Sequence, residues 1–365
     1  MKIGILTVPF NNNYGGFLQA YALTTVLKRM GHEVVVINRR RNRSRRAKIR
    51  ALFSFVIPDK QEKLKEKISV NTQKFVSEHI KLTKPLFSSS AMRREYARQK
   101  FDCLIVGSDQ VWRYRYARNS ICDYFFGFLE KSDNTPRFSY AASFGVDFQE
   151  YPTEYLERCA NYLKQFKGLS VREETAVNLL NQYFNVSTHN IHVVADPTLL
   201  LGTDDYQQLF SEYKSATNDS YTFEYVLDET EDTKCIVQEV IEVLDLPVIQ
   251  MKAQTGNIEN NDVIEPIEKW LSSIAGASYV ITDSYHGTVF SILFNRPFVV
   301  IVNPTRGITR VEYLLRHFGL SNRMLSVSDS KTISEVMSSS INWFEINKTI
   351  ALDRENALGF IANNL

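Results

Sequence analysis

The stretch KIGILTVPFNNNYGGFLQAYALTTVLKRMGHEVVVIN, residues 2–38, decides the fold class. Its apolar run from Lys2 to Val8 reads as a strand, and a polar loop follows. Leu23, Val26, Leu27 and Met30 then recur at helical spacing, which predicts a helix from about Phe17 to Met30 with its apolar stripe on a sheet. Gly31 ends that helix, and Glu33 to Asn38 gives a second strand. A strand, a crossover helix and a strand make one parallel βαβ unit.

The same alternation continues along the chain and sets the class as α/β. Strands are expected at Phe101 to Val106, Arg137 to Ala142, Gly168 to Val171 and Ile191 to Ala195. A second set runs through Tyr221 to Leu227, Pro247 to Met251, Tyr279 to Thr282 and Phe298 to Val302. At 365 residues the chain exceeds one ordinary core, so two Rossmann-like doubly wound lobes facing a cleft are expected. The polar stretch 201–220 marks the boundary, which gives a first lobe over 1–200, a second over 201–340, and a C-terminal helix over 341–365 packing back on the first.

Composition excludes several classes. Hydrophobic residues at 44% and charged residues at 23% fit a globular chain and argue against disorder. Apolar runs fall well short of the roughly 20 residues that cross a bilayer. Residues 1–8 lack the charged and apolar regions of a signal peptide. The four cysteines, Cys103, Cys122, Cys159 and Cys235, form no CxxC pair, so a cytoplasmic setting is expected and no metal. The net charge of +2 hides a basic run: Arg39, Arg40, Arg41, Arg43, Arg45, Arg46, Lys48 and Arg50. It reads either as a solvated loop or, with the apolar 51–57 behind it, as a contact for the anionic inner face of a membrane. Without a recognised nucleic-acid module, no nucleic acid is expected as partner.

Ligands of such folds bind beyond the carboxyl ends of the strands, so the loops there hold the candidate residues. Asn13, Tyr14, Gly15 and Gly16 close the first loop, which suits an anion or a sugar or is simply a tight turn; it lacks the GxGxxG dinucleotide signature. Ser108, Asp109 and Trp112 follow the third strand. Ser108 and Asp109 read either as a helix cap or as polar contacts for a sugar stacked on Trp112. The segment Thr282-Asp283-Ser284-Tyr285-His286-Gly287-Thr288 opens a helix, with Asp283 or Ser284 as its cap. His286 there is either an ordinary surface histidine or a proton carrier beside an anion site. Arg172, Arg306 and Arg310 are candidate anion ligands, provided the cleft gathers them.

These motifs, in this order, resemble the polysaccharide pyruvyl transferase family along nearly the whole chain. The resemblance rests on Tyr14-Gly15-Gly16 before Leu18 to Leu23, Val106 to Trp112, Ser139 to Gly145, Ser170 to Glu173, Asp196-Pro197-Thr198, Thr282 to Thr288, and the Arg306 to Arg310 segment. It implies a fold similar to the two-domain GT-B architecture, phosphoenolpyruvate as co-substrate with no cofactor, and a glycan hexose as acceptor, free or lipid-linked. The expected product is a pyruvate ketal. His286 corresponds to a donor-site and catalytic histidine, and Arg172 to a donor-holding arginine. Some members carry arginine where Ser284 stands, which shifts the donor's charge onto Arg306 or Arg310. By this reading His286 is acid or base and Asp109 takes an acceptor hydroxyl; Ser284, Tyr285, Gly287, Thr288 and the three arginines bind the donor. Asn13, Tyr14, Gly15, Gly16, Ser108 and Trp112 face the acceptor. Two alternatives share the same residues: a nucleotide-sugar glycosyltransferase and a non-catalytic glycan-binding protein.

Overall fold

The computed structural model describes residues 1–10, 13–41, 66–213, 220–252, 263–302, 307–326 and 333–365. Strands β1 (Lys2–Leu6), β2 (Glu33–Val36), β3 (Cys103–Asp109), β4 (Arg137–Ala142), β5 (Leu169–Val171) and β6 (Ile191–Val193) form one parallel sheet. Their order is β2-β1-β3-β4-β5-β6. Strands β7 (Thr222–Tyr225), β8 (Val248–Gln250), β9 (Tyr279–Thr282), β10 (Phe298–Ile301) and β11 (Met324–Leu325) form a second parallel sheet, ordered β11-β10-β9-β7-β8. Helices cover both faces of a parallel sheet, so central strands read as unbroken apolar runs. In β3 every residue is buried.

Two strand readings change. Strand β11 is missing from the sequence reading because two residues show no periodicity; it is held by Val300 and Ile301 of β10 pairing with Met324 and Leu325. Strand β3 runs past its apolar stretch because Gly107 and Asp109 still pair with Tyr140 and Ala142 of β4. Ser108 and Asp109 therefore close a strand and cap no helix.

Helix α1 (Tyr14–Arg29) starts ahead of the expected Phe17 because the Asn13 side chain accepts the Gly15 N–H at 3.1 Å. Helices α2 (Tyr285–Leu293) and α3 (Ile308–His317) follow β9 and precede β11. Helix α4 (Trp343–Asn364) ends the chain. Its Phe360 ring meets Phe138 of β4 edge-on at 6.1 Å, and Arg354 donates to the Leu199 and Leu201 carbonyls, both at 2.9 Å. Asp353 reaches His317 of α3 at 2.7 Å, so the last helix touches elements of both sheets. The stretch 201–220 holds a helix, Thr203–Leu209, and its residues 214–219 lie outside those described. One apolar cluster runs from Leu18 and Leu23 of α1 to Tyr225, Trp270 and Phe290, with the Tyr14 ring 5.4 Å from Trp270.

The basic run is not uniformly solvated. Arg39 is buried, and its Nε donates to the Asp123 carboxylate at 2.7 Å. Half-buried Arg40 donates to Asn38 at 2.7 Å and to the Phe10 carbonyl at 3.3 Å. A surface run ending in an internal ion pair looks alike in sequence, because the partner is 84 residues away. Arg41 is exposed, and residues 42–57, with the run from Arg43 on and its apolar tail, lie outside the described residues. Among the described residues no helix is long and apolar enough to cross a membrane.

Breaking a buried, charge-assisted hydrogen bond costs about 1.5–3 kcal/mol, whereas an exposed pair is worth about 0–1 kcal/mol. Asp123→Ala is therefore expected to lower the urea unfolding midpoint sharply. Lys81→Ala, which breaks the exposed bridge to Glu33, should barely move it. Equal shifts in the two variants would contradict the buried-pair account.

Candidate active site

Each sheet reverses its winding once, between β1 and β3 in the first and between β7 and β9 in the second. Loops leaving adjacent strands diverge at such a point and open a crevice. The two crevices face each other. Gly15, at the start of α1 after β1, lies against His286, at the start of α2 after β9; a Cβ on Gly15 would stand 2.0 Å from the imidazole Nδ1. Glycine is thus required there by contact, with no demand on backbone angle.

A pocket of about 60 Å³ lies beside this junction, where a single water needs roughly 10–15 Å³. Asn13, Asp109, Ser284, Tyr285, His286 and Arg310 all line it. His286 is 4% exposed, and its Nε2 has no hydrogen-bond partner among the described residues. Ser284 caps α2 by accepting the Gly287 N–H at 3.3 Å. Asp283 is committed elsewhere, accepting the backbone N–H of Leu227 at 2.7 Å.

Behind the pocket wall sits a buried charge cluster. Arg172 donates to Asp196 at 2.7 Å and lies 3.5 Å from Asp109 and 3.6 Å from Glu173. Its guanidinium stacks 4.3 Å above the Tyr285 ring, which also has Arg310 at 5.6 Å. Arg310 stands 3.7 Å from Asp109. Asp196 also accepts from Thr198 and Ser108, and lies 3.8 Å from His286 Nε2. Asp109 adopts φ +67, a left-handed conformation that a non-glycine residue keeps only where its surroundings enforce it.

Burial dominates the titration of these groups. It lowers the His286 pKa below 6.5, with Arg172 and Arg310 adding to the fall and Asp196 and Asp109 opposing it. It also raises Glu173, against the pull of Arg172 and the Ser143 hydroxyl. Burial would raise Asp196 too, but His286, Arg172 and the Thr198 N–H more than offset it and hold that carboxyl low.

Several expected residues stand apart from the pocket. Trp112 is fully buried, its ring stacked on Phe125 at 5.2 Å and its N–H given to the Tyr124 carbonyl, so it offers no face to a sugar. Ser108 is sealed beneath, on Asp196. Tyr14 donates to the Glu265 carbonyl at 2.9 Å. Gly16 is buried in α1 with open space where a Cβ would be. Gly287 allows α2 to approach Thr282, and the Thr288 hydroxyl bonds the Ser284 carbonyl at 3.0 Å. Arg172 lies behind Tyr285 and does not line the pocket. Arg306 lies outside the described residues. The sequence reading missed Asp196 and Glu173 as members of the cluster, although Asp196-Pro197-Thr198 and Arg172-Glu173 were its signal. Among the described residues one His and carboxylate group has metal-ligand spacing, Glu78, His79 and Glu268, and it lies outside this pocket.

Two parallel α/β lobes with a pocket lined by a histidine and an arginine at facing switch points define a GT-B-like two-lobe protein. A family profile described as polysaccharide pyruvyl transferase matches residues 13–304. The chain belongs to the polysaccharide pyruvyl transferase family. Among solved structures it is similar to UDP-N-acetylglucosamine 2-epimerase from Rickettsia bellii, at 10% identity and TM-score 0.53, covering 100% of this chain and 96% of that one. It is also similar to the UDP complex of MnaA from S. aureus, at 12% identity and TM-score 0.52, covering 98% and 90%. Such likeness shows the fold alone. No curated protein matches the chain in sequence.

A histidine depressed by burial titrates higher once unfolded. Below its unfolded pKa near 6.5 the unfolded chain therefore binds the proton that the native chain excludes, and stability falls with pH. Urea midpoints at pH 7.5 and 5.5 should show a smaller acid loss in His286→Gln than in the wild type. Identical losses would mean that His286 is not held neutral.

Proposed function

We propose that this protein transfers pyruvate from phosphoenolpyruvate to two hydroxyls of a hexose, in a bacterial surface polysaccharide or its lipid-linked precursor, forming a ketal and releasing phosphate. The observation that carries the reading is His286, whose Nε2 has no hydrogen-bond partner among the described residues, sharing one pocket with Arg310 and the N-terminus of α2.

In the proposed reaction a proton adds to the methylene carbon of the enol ester, and C2 becomes an oxocarbenium-like centre. One sugar oxygen bonds to C2, and the second displaces phosphate as the C–O bond to phosphorus's oxygen breaks. Of the two hydroxyl protons, one replaces on the imidazole the proton that enters the new methyl group, and the other leaves on phosphate. Neutral His286 is suited to take a hydroxyl proton. A dianionic phosphate beside it would raise its pKa and make the imidazolium available to the methylene carbon. Arg310 supplies a guanidinium for carboxylate or phosphate, and the dipole of α2 adds to it. Arg172 and Asp196 act one layer out, fixing Tyr285 and the imidazole.

Purified protein with phosphoenolpyruvate and p-nitrophenyl hexosides should release phosphate in step with the mass gain of a ketal. His286→Ala should lower kcat at least about 100-fold, the low end of what a proton-transferring group contributes. Arg310→Gln should raise the KM for phosphoenolpyruvate about tenfold or more, the worth of a charge-assisted hydrogen bond. Near wild-type turnover by His286→Ala rules out its proposed role. Release of nucleoside diphosphate from UDP-sugars, with none of phosphate, would replace the reaction by glycosyl transfer.

A further inference from the structure

The pocket has an aromatic wall that the sequence reading placed four residues too early. Trp112 is interior, but Tyr116, in the helical turn Tyr114–Ala117, lines the same pocket as His286 and is 44% exposed. What sets Tyr116 apart from other exposed aromatic residues is its place on the wall of this pocket, where a ligand can cover the ring.

The ring is held from behind. Arg113, 5% exposed, places its guanidinium 4.9 Å from the Tyr116 ring centre. The same guanidinium donates to the Gln110 side-chain oxygen at 2.7 Å and lies 3.7 Å from Glu150. Tyr116 returns its backbone N–H to the Arg113 carbonyl at 3.1 Å. Tyr114, in the same turn, packs its ring on Tyr151 and Tyr155 at 5.4 and 5.5 Å and so anchors the turn to the first lobe. One face of Tyr116 is thus backed by a fixed cation, and the ring is preorganised at little further entropic cost.

What stands beside the open ring is polar. Gln110 and Asp109 line the same pocket. Gln110 has its oxygen engaged by Arg113, which leaves its amide N–H groups to donate; Asp109 is an acceptor. An apolar plate flanked by one donor and one acceptor is the complement of a pyranose, which has a C–H face and a rim of hydroxyls. An aliphatic chain would use the plate but not the rim, and an anion would meet the Asp109 carboxylate and leave the plate unused.

We propose that Tyr116 is the platform on which the acceptor pyranose stacks, with Gln110 and Asp109 reading its hydroxyls and the reacting diol directed to the His286 end of the pocket. This rests on the pyruvyl-transfer reading for the identity of the reaction, but sugar stacking on Tyr116 is separately measurable. Tyr116 is a specificity-determining residue, not a proton carrier, since its ring and not its hydroxyl is the contact.

The test is saturation-transfer NMR of the full-length protein with p-nitrophenyl and methyl glycosides of glucose, galactose, mannose and N-acetylglucosamine, beside the coupled phosphate assay. Wild type and Tyr116→Phe should transfer saturation to the C–H protons of one sugar face. Tyr116→Ala should weaken binding about tenfold, the worth of one stacked ring, with an unchanged melting temperature. In turnover the same variant should raise the glycoside KM about tenfold and leave the KM for phosphoenolpyruvate alone. The inference is overturned if no glycoside of the panel binds the wild type, or if Tyr116→Ala binds as well as Tyr116→Phe. Sugar binding that depends on Tyr116 with no phosphate release by the wild type would sink the reaction and leave the platform standing.

Discussion

A guanidinium with 2% of its surface exposed must be charged in the interior, and Arg172 is held so by three carboxylates from three places in the chain. Burial opposes its charge, yet the Tyr285 ring and the Asp196, Asp109 and Glu173 carboxylates around it push its pKa up. The consequence extends beyond one residue. Asp109 ends β3, Arg172 and Glu173 follow β5, Asp196 follows β6, and Tyr285 belongs to the second sheet's helix. A single charge thus fixes three loops of one lobe and stacks on a ring of the other. Asp196, drawn in by Arg172, stands in turn 3.8 Å from the imidazole.

That arrangement explains why Arg172 is poorly described as a ligand. Its neighbours surround it with negative charge, while Arg310 lines the pocket itself and has Asp109 at 3.7 Å. Arg310 also titrates lower than usual, through burial and through repulsion by Arg172. Two cations so close are stable only with their counter-charges, or with an anion bound between the lobes. A buried ion network of this kind adds little net stability compared with apolar packing. Its value lies in orientation.

The α/β class was legible because parallel strands buried on both faces are unbroken apolar runs, as at Phe298 to Ile301 and Tyr279 to Thr282. The location of the site followed from topology: loops after β1, β3, β5 and β9 were the ones to search. Distance along the chain hid the rest. Nothing near Arg39 reveals Asp123, and nothing near Asp196 reveals His286, 90 residues on, because ion pairs between loops carry no periodic signature. Trp112 misled for another reason. An aromatic residue just past a strand is as readily core as surface, and the tight turn Asp109 to Trp112, closed by the Val111 N–H on the Asp109 carbonyl at 2.7 Å, rotates it inward. Tyr116, in an unremarked tyrosine pair, is left at the pocket.

The charge balance around the pocket constrains any reaction of a polyanion there. Arg172 and Arg310 face Asp109, Glu173 and Asp196, so with all carboxylates ionised and His286 neutral the cluster carries one excess negative charge. Such a site repels phosphoenolpyruvate. Two features remove the conflict. Burial opposes the charge on Glu173, and His286 is an uncharged base that an arriving anion would drive to protonate. For the proposed reaction, donor binding and proton uptake at the imidazole are then one event. The proton that enters with the donor is the one the methylene carbon needs, and the hydroxyl protons of the acceptor restore the balance when phosphate leaves. Burial of His286, which costs stability in acid, is on this view what makes the imidazole respond to the donor.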